Sequence, residues 1–261
     1  MIDNGLEKEK RISMGIFDGK TAVVTGSARG IGEQVARTLA ANGCDAVVVA
    51  DILEEPGRKT AQSIEETCHC KTWAYALNVL EESSIVELFA QVRQRFGGAD
   101  ILVNCAGICP TQSIEDTSVE GWNRTLGVNL RGTFLCCREA LCQMKEKQAG
   151  KIVNTTTISA RIGGIGTGMD YVASKGGVLS MTMGIAKQAA KYNINVNSVA
   201  PGFIATEMSK NLKHFDPANV PLGRIGEPAD VADVVKFLCS EDARYLTGVC
   251  IDVNGGVFMS S

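Results

Sequence analysis

The feature that most constrains the fold of this chain is a regular alternation of short apolar strands with longer helical patterns. Valine-rich runs at residues 21–26 (TAVVTG), 45–51 (DAVVVAD) and 100–104 (DILVN) each precede a stretch whose apolar residues recur at helical spacing. Strand and helix alternate seven times, with no linker-like stretch between them. Continuous apolar strands separated by helices are typical of parallel sheets covered on both faces. The sequence therefore predicts the α/β class: a single doubly wound domain with a seven-stranded, mostly parallel sheet and helices on both faces.

The other elements follow from the same two periodicities. Further strands are expected at residues 71–79, 150–157, 194–200 and 249–253. Helices are expected at residues 31–41, 54–67, 83–96, 119–147, 171–192 and 228–240. Residues 1–15 are charged and lack apolar periodicity, so we expect a mobile N-terminal extension ahead of one domain that spans residues 16–261.

Composition argues against two classes of partner. The chain has 26 basic and 29 acidic side chains and a net charge of −3, whereas a protein that binds nucleic acid through its phosphates needs a basic face. No run approaches the about 20 apolar residues of a membrane-spanning helix. We therefore expect no nucleic-acid partner and no membrane partner.

The ten cysteines are expected to be free thiols. The first residues, MIDNGLEKEKR, lack the apolar segment of a secretory signal, so we expect a cytoplasmic protein whose thiols stay reduced. Cys68 and Cys70 flank His69, but the spacing is not that of a zinc site and no second cluster follows. No metal is therefore expected.

Three glycines lie where the first strand meets the first helix. Gly26, Gly30 and Gly32 occur in TGSARGIG, with Arg29 and Ile31 among them. A dinucleotide pyrophosphate needs bare backbone for its close approach, and a helix N-terminus offers it N–H donors. A glycine pattern alone is a weak signal, and a turn without a ligand is the alternative. Because a strand precedes this glycine pattern and a helix follows it, we interpret the pattern as a Rossmann-type dinucleotide-binding loop.

Asp51 ends the second strand, 19 residues after Gly32. A carboxylate there can accept hydrogen bonds from both adenosine ribose hydroxyls, and it would repel a 2′-phosphate. Arg29 is the contrary signal, because a cation in the glycine loop could reach that phosphate. Repulsion by Asp51 would act at short range in a poorly hydrated pocket, so we expect NAD(H) rather than NADP(H). The alternative role of Asp51 is to cap the following helix.

Tyr171 and Lys175 stand four residues apart in DYVASKGG. On a helix they share one face. An ammonium group beside a phenol stabilises the phenolate and lowers its pKa, which is otherwise about 10. The pair is therefore a candidate general acid/base, although this spacing on its own is usual for a solvated helix face.

The order of these motifs resembles that of the classical short-chain dehydrogenase/reductases. The resemblance covers residues 17–258 and rests on the glycine loop, the Tyr171/Lys175 pair, NCAG at 104–107, PG at 201–202 and NGG at 254–256. It implies hydride exchange between a substrate carbinol carbon and a nicotinamide, with Tyr171 exchanging the proton. Lys175 would hold the nicotinamide ribose and lower the pKa of Tyr171.

The resemblance also implies roles for further residues. Asn129, in GVNL, would hold a water in the proton relay, and its alternative role is to satisfy a neighbouring carbonyl. Besides the glycine loop and Asp51, the implied cofactor contacts are Asn78, Val79, Asn104, Ala106, Gly107, Pro201, Gly202, Ile204 and Thr206. The commonest family pattern has a second asparagine at position 105 and an aspartate at position 78, and this chain departs from it at both.

A third departure concerns the catalytic hydroxyl. The family pattern most often has a serine 13 residues before the tyrosine, where this chain has Ile158. Alignment from the fifth strand instead places Thr157 at the serine position, and Ser159 is the alternative. A threonine hydroxyl can donate to a substrate carbonyl, although its methyl group restricts χ1. The expected catalytic set is therefore Asn129, Thr157, Tyr171 and Lys175.

Two segments, VAPGFI at 199–204 and PLGRIGEP at 221–228, are similar to those of the 3-oxoacyl carrier-protein reductases. These enzymes usually prefer NADP(H), against the expectation from Asp51. They also share two arginines for the acidic carrier, at positions that we align with Cys142 and Tyr192, and Lys145 and Lys191 lie close by. We therefore expect a small-molecule alcohol or ketone of the polyol, sugar acid or hydroxysteroid type. The alternatives are a 3-oxoacyl-[acyl-carrier-protein] reductase and a non-catalytic NAD-binding sensor or scaffold.

Members of the family are commonly tetramers that pair through the long helices after the fourth and fifth strands. Phe134, Leu135 and Leu141 could form such a face here. We therefore expect a homotetramer, and packing of these side chains within one chain is the alternative.

Overall fold

Seven parallel strands form one sheet in the computed structural model, which describes residues 15–164, 166–210 and 216–259. The strands are β1 Thr21–Thr25, β2 Ala46–Asp51, β3 Lys71–Ala76, β4 Ile101–Asn104, β5 Gly150–Thr155, β6 Ile194–Pro201 and β7 Cys250–Val253. Their order is β3-β2-β1-β4-β5-β6-β7, and every neighbouring pair is parallel. The predicted doubly wound sheet is confirmed, and it is parallel throughout.

Eight α-helices cover the sheet within the described part of the chain. They are α1 Gly30–Ala41, α2 Glu54–Thr67, α3 Glu82–Phe96, α4 Val119–Leu126, α5 Thr133–Lys147, α6 Ser159–Ile162, α7 Met169–Ala189 and α8 Pro228–Cys239. A π-helical segment, Gly127–Gly132, joins α4 to α5. The expected helix at 119–147 is therefore continuous but contains this wider turn, and such turns frequently occur at functional sites.

Burial of the central strands explains why valine dominates them. All five residues of β1 and the first five residues of β2 are buried. One hydrophobic cluster packs with α1 and α8 and the other with α3 and α5, so both faces of the sheet are covered. A strand enclosed on both faces needs a continuous apolar run rather than an alternating one.

The strand order places the site. β1 lies between β2 and β4, so the chain leaves the sheet centre in opposite directions on the two sides of β1. Ligands of open α/β sheets bind at such a switch point, outside the carboxyl ends of the strands. The glycine loop follows β1, the NCAG segment follows β4, and Thr157 follows β5.

Two expected strands end early. β3 is an edge strand, and Ala76 pairs with Asp51, the last residue of β2. No partner strand extends beyond that pair, so residues 77–79 form a loop instead. β5 ends at Thr155, which places Thr157 in the turn towards α6.

The expected N-terminal extension, residues 1–15, lies outside the described residues except for Gly15. All ten cysteines carry free thiols. Among the described residues, no three side chains of histidine, cysteine, aspartate or glutamate are grouped to hold a metal. In those same ranges, no helix has the length and apolar character to cross a bilayer.

Candidate active site

Bare backbone lines the junction of β1 and α1. Gly26 and Gly30 have φ angles of 65° and 63°, in the left-handed region that favours glycine. A Cβ on Gly26 would lie 2.6 Å from the backbone of Ala106, and one on Gly32 would lie 2.2 Å from the Gly26 carbonyl oxygen. Larger residues would fill this cradle or push it apart. Its shape, at the N-terminus of a helix, therefore fits a dinucleotide pyrophosphate.

The other two residues of the glycine loop have different environments. Arg29 is exposed and takes the N-cap position of α1 without a side-chain capping bond. Ile31 is partly buried and packs against the core cluster. Arg29 therefore extends towards solvent, whereas Ile31 anchors the helix start.

Asp51 joins the glycine loop to the segment before α2. Its Oδ2 accepts a hydrogen bond from the Ala28 N–H at 2.9 Å, and its Oδ1 accepts one from the Leu53 N–H at 2.9 Å. These bonds fix a partly exposed carboxylate at the carboxyl end of β2. A carboxylate has about four lone-pair sites, so the group retains capacity for ribose hydroxyls.

The expected adenine contacts lie in the loop beyond β3. The Asn78 Oδ1 accepts a hydrogen bond from the Leu80 N–H at 3.1 Å, which shapes this loop. Val79 packs so closely on the π-helical segment that a Cβ on Gly132 would lie 2.8 Å from the Val79 Cβ. Arg131 donates to the Leu80 carbonyl at 3.0 Å. The loop is thus tied to the helix that carries Asn129.

Asn104 is turned away from the expected cofactor pocket. Its side chain is buried, and its Nδ2 donates to the Asn154 Oδ1 at 2.9 Å. Asn154 in turn donates to the Thr182 Oγ1 at 3.0 Å. This series of hydrogen bonds ties β4 and β5 to α7, while the Asn104 Oδ1 has no hydrogen-bond partner among the described residues.

Ala106 and Gly107 follow β4, between the glycine loop and α7. The Ala106 N–H lies 3.3 Å from the Thr25 Oγ1, to which it donates. A Cβ on Gly107 would come within 3.2 Å of the Asn129 Oδ1 and 3.5 Å of the Lys175 Nζ. Both residues are partly exposed. The small side chains at these positions keep the space between β4 and α7 open.

The segment after β6 approaches the glycine loop. A Cβ on Gly202, next to Pro201, would lie 2.7 Å from the Asn254 Cβ. Thr206 faces the loop, and a Cβ on Gly30 would lie 3.5 Å from its Cγ2. The Ile204 side chain is buried in the core, and its backbone bridges to Gly226.

Tyr171 and Thr157 face each other across the cleft. Burial raises the pKa of the Tyr171 phenol above its ordinary value, the Cys109 thiol adds to this, and a hydrogen bond with the Thr157 hydroxyl acts in the opposite direction. Ser159 contacts Thr157 through its backbone N–H, at 3.2 Å from Oγ1. Thr157 is therefore the hydroxyl beside the phenol, and Ser159 holds that hydroxyl through its backbone N–H.

Lys175 is buried and holds a backbone carbonyl. Its Nζ donates to the Thr155 carbonyl oxygen at 2.7 Å. Burial lowers its pKa to about 8, against the opposite effect of the Cys105 and Cys109 thiols. The expected decrease in the pKa of Tyr171 is therefore absent, because the ammonium is drawn to the end of β5 and burial dominates at the phenol. An ammonium group has three donors, so it can keep this carbonyl and still bind ribose hydroxyls.

Asn129 satisfies a neighbouring carbonyl, and its place in the proton relay stays a prediction. Its Oδ1 accepts from the Ile108 N–H, and its Nδ2 donates to the Ile108 carbonyl, both at 2.9 Å. Nδ2 also donates to the Ser174 Oγ at 3.0 Å, and Ser174 donates to the Tyr171 carbonyl at 2.8 Å. Asn129 therefore pins the segment after β4 against the helix that carries the tyrosine.

Sequence reasoning missed several residues that hold the site. Thr155 and Ser174 contact Lys175 and Asn129, and Asp170 lies directly before Tyr171 in a buried position. Only Asp170 had a signal in the sequence, as an acidic residue in the first turn of a helix next to the candidate tyrosine. The contacts themselves join distant parts of the chain and leave no local pattern.

Comparison with known proteins identifies full-length relatives. The model of a family described as enoyl-(acyl carrier protein) reductase matches residues 26–258. A 3-oxoacyl-[acyl-carrier-protein] reductase from Aquifex aeolicus is 40% identical over 246 residues, which covers 93% of this chain and 98% of the relative. The enzyme of that name from Escherichia coli K12 is 37% identical over 249 residues, with 93% and 99% covered.

Solved structures agree with this relationship. A short-chain type dehydrogenase/reductase from Mycobacterium marinum has a TM-score of 0.89 and 31% identity, and the match covers 94% of this chain and 97% of that one. A 3-oxoacyl-[acyl-carrier protein] reductase from Brucella melitensis has a TM-score of 0.88 and 28% identity, with 95% and 94% covered.

The relatives contradict the expected substrate. Their shared name favours the 3-oxoacyl-[acyl-carrier-protein] reductase alternative over a polyol, sugar acid or hydroxysteroid dehydrogenase. The expectation was wrong because it gave Asp51 and the two replaced arginines more weight than the segments at 199–204 and 221–228.

Proposed function

The chain belongs to the short-chain dehydrogenase/reductase family, and we propose that it reduces the 3-oxo group of acyl thioesters borne by an acyl carrier protein. It is an oxidoreductase that acts on CH–OH groups with a nicotinamide cofactor. The observation that carries the proposal is that Tyr171, Lys175 and Thr157 lie together at the carboxyl end of β5. The Lys175 Nζ donates to the Thr155 carbonyl at 2.7 Å, and the Thr157 hydroxyl is close enough to the phenol to lower its pKa against the effect of burial. Two donors at one point can hold a carbonyl oxygen and protonate it.

The proposed chemistry divides between the two hydroxyl groups. A bound nicotinamide supplies the hydride. Thr157 donates a hydrogen bond to the 3-oxo oxygen, which makes its carbon more electrophilic. Tyr171 transfers its phenolic proton to the same oxygen, and the phenolate that remains is reprotonated before the next turnover. The phenol is protonated at neutral pH, since even its ordinary pKa is about 10, so it carries the proton that reduction requires.

The function is tested by supplying reduced cofactor with competing substrates. Acetoacetyl thioester should be reduced rapidly, seen as loss of reduced-nicotinamide absorbance. In the oxidative direction, polyols, sugar acids and hydroxysteroids should give little turnover with the oxidised cofactor. Turnover of one of those alcohols with no reduction of the thioester would refute the proposal.

We propose that the cofactor is NAD(H) rather than NADP(H). The Asp51 carboxylate is held beside the glycine loop by two backbone N–H groups. These bonds keep a negative charge at the end of β2, where a 2′-phosphate would have to enter. Arg29, although cationic, is exposed to solvent, so its attraction is more strongly screened.

Asp51→Ala is expected to shift preference towards NADPH. Like charges about 4 Å apart at an effective dielectric near the surface repel by ~1–4 kcal/mol, so the ratio of kcat/KM for NADPH to that for NADH should rise about 10- to 100-fold. Steady-state kinetics with both cofactors measures this ratio. Asp51→Asn is the control, since it removes charge but keeps an acceptor for the loop. An unchanged ratio in both variants would remove the electrostatic basis for NAD(H).

A basic site at the ends of α5 and α7 supports an acidic carrier protein as partner. The Lys145 and Lys191 Nζ atoms lie 5.0 Å and 5.1 Å from the centre of the Tyr192 ring. Both lysines are exposed, so two ammonium groups are presented together around one ring. We propose that this lysine pair replaces the two arginines and attracts the carrier.

Reversing both charges with Lys145→Glu/Lys191→Glu should weaken use of the carrier-bound substrate only. Charges at the rim of an interface govern association, so kcat/KM for acetoacetyl carrier protein should fall about tenfold or more. Kinetics with a short acetoacetyl thioester should be unchanged, because that substrate lacks the acidic surface. Lys59→Glu, an exposed change on α2, is the matched control. Equal kcat/KM with both substrates in the double variant would exclude docking here.

We also propose a homotetramer, with the face formed by α4, the π-helical segment, the start of α5 and α7 as one contact. An apolar groove there is lined by Leu126, Leu130, Phe134 and Met181. Phe134 is 45% exposed, which suits a subunit contact. Leu135 is buried, so it belongs to the core of one chain instead, and Leu141 is partly buried against that core. Sedimentation equilibrium measures the subunit number.

A further inference from the structure

A buried carboxylate lies directly behind the catalytic tyrosine. Asp170 is 2% exposed, at the second position of α7. Its Oδ2 accepts a hydrogen bond from the Thr125 hydroxyl at 2.6 Å, and Thr125 is 1% exposed. Its Oδ1 accepts from the backbone N–H of Tyr171 at 2.9 Å. The carboxylate therefore joins the tyrosine backbone to a side chain of α4.

The two helices that it joins carry most of the catalytic set. α7 holds Tyr171 and Lys175. α4 runs without interruption into the π-helical segment that contains Asn129, so Thr125 and Asn129 belong to one continuous helix. A contact between Thr125 and Asp170 thus sets the first turn of α7 against that helix.

Space around the carboxylate leaves it little freedom. A Cβ on Gly168 would lie 2.4 Å from the Asp170 Oδ1. The Gly168 N–H donates to the Pro110 carbonyl at 2.7 Å, which fixes the chain just before α7. The first N–H groups of a helix have no acceptor within the helix. The Tyr171 N–H therefore depends on Asp170 for its hydrogen bond, and Asp170 depends on Thr125 for its orientation.

We propose that Asp170 and Thr125 are positioning residues that hold the Tyr171 helix in register with the Asn129 helix. The inference rests on the proposed function only for the choice of substrate. Neither side chain touches the reacting atoms, so both act through Tyr171. Displacement of a catalytic group by about 1 Å can cost 10²-fold in rate, and a buried hydroxyl–carboxylate contact at the helix start is placed to prevent it. If Asp170 served only the helix N-terminus, removing the Thr125 hydroxyl would change little.

The first test measures kcat in hydroxyl variants with NADH and acetoacetyl thioester. Thr125→Val keeps the shape of the side chain and removes the donor, and kcat should fall about 10- to 100-fold while KM for NADH stays within about twofold. Thr125→Ser restores the hydroxyl and should recover most of kcat. Thr67→Val is the control, because the Thr67 hydroxyl bonds to the Ser63 and Ile64 carbonyls of its own helix and contacts the adjacent Cys68 thiol, away from the site. Wild-type kcat in Thr125→Val, or loss of kcat in Thr125→Ser to the same extent, would overturn the inference.

A second test does not depend on the substrate. Hydrogen exchange at the Tyr171 amide, resolved by NMR, should be faster in Thr125→Val and in Asp170→Asn than in the wild type, and near wild type in Thr125→Ser. Unchanged exchange in Thr125→Val would overturn the inference even if kcat fell. If the wild-type protein does not reduce the thioester, the proposed function fails, while the exchange rates still decide whether this contact fixes Tyr171.

Discussion

Replacing Tyr171 with phenylalanine should abolish turnover and leave cofactor binding intact. The variant loses the phenolic proton that the substrate oxygen must receive, and it keeps the ring that fills the cleft. General acid catalysis contributes about 10²–10⁴-fold, so kcat should fall by about that factor. Lys175 retains its bond to the Thr155 carbonyl, so the Kd for NADH should remain within about threefold.

Rapid kinetics and fluorescence titration with NADH separate the two effects. Tyr245→Phe is the matched control, because that tyrosine is 99% exposed and should tolerate the same change. Retention of activity within tenfold in Tyr171→Phe would reject the phenol as the proton donor. Loss of NADH binding together with activity would show instead that the residue holds the cofactor.

The second large effect is expected at Thr157. Thr157→Val is nearly isosteric and removes the hydroxyl that pairs with the phenol. Loss of one donor to a developing oxyanion costs about 10²–10³-fold in kcat, and we expect a fall in that range. Ser159→Ala should change kcat by less than about threefold, because Ser159 meets Thr157 through its backbone N–H.

Thr157→Ser separates hydroxyl chemistry from packing. It retains the donor and should keep kcat within about tenfold of the wild type, since only a methyl group is lost. Measuring all three variants at saturating NADH gives a direct ranking. If Ser159→Ala carries the large loss and Thr157→Val is active, the catalytic hydroxyl belongs to Ser159.

Much of the fold was predictable because its signals are local. Valine runs located the central strands, since strands buried on both faces must be apolar throughout, and the alternation with helical patterns located the partly exposed β3 and β7. The end of β3 was not predictable, because it is set by where its neighbour β2 stops pairing. The π-helical turn at Asn129 has no periodicity of its own within a longer helical pattern.

The site was predictable where a backbone shape requires one residue type. The glycines at 26, 30 and 32 and the acidic end of β2 are such positions. The directions of the side chains were not predictable. Asn104 and Ile204 lie at the expected positions, but their side chains are buried. The partner of Lys175 was also missed, because the Thr155 carbonyl comes near only when β5 packs on α7.

The substrate was the largest error, and its cause is physical. Asp51, Lys145 and Lys191 lie where we propose that the cofactor and the carrier bind, whereas the proposed reaction takes place at Thr157 and Tyr171. Residues that would contact the two ends of a ligand do not determine the reaction at its centre. The pairing of two hydroxyl groups at that centre is what supports ketone reduction.

The most direct test follows a labelled hydride. Reduced nicotinamide deuterated at C4 is supplied with acetoacetyl thioester and, separately, with crotonyl thioester, and the products are identified by mass spectrometry and NMR. The account predicts 3-hydroxybutyryl thioester with deuterium at C3 and its oxygen retained, and no reaction of the crotonyl chain. The contrary result would be reduction of the crotonyl double bond while the acetoacetyl thioester stays unreacted. The crotonyl chain has no carbonyl oxygen at C3, so the Thr157 and Tyr171 hydroxyl groups would then have no part in the reaction as proposed.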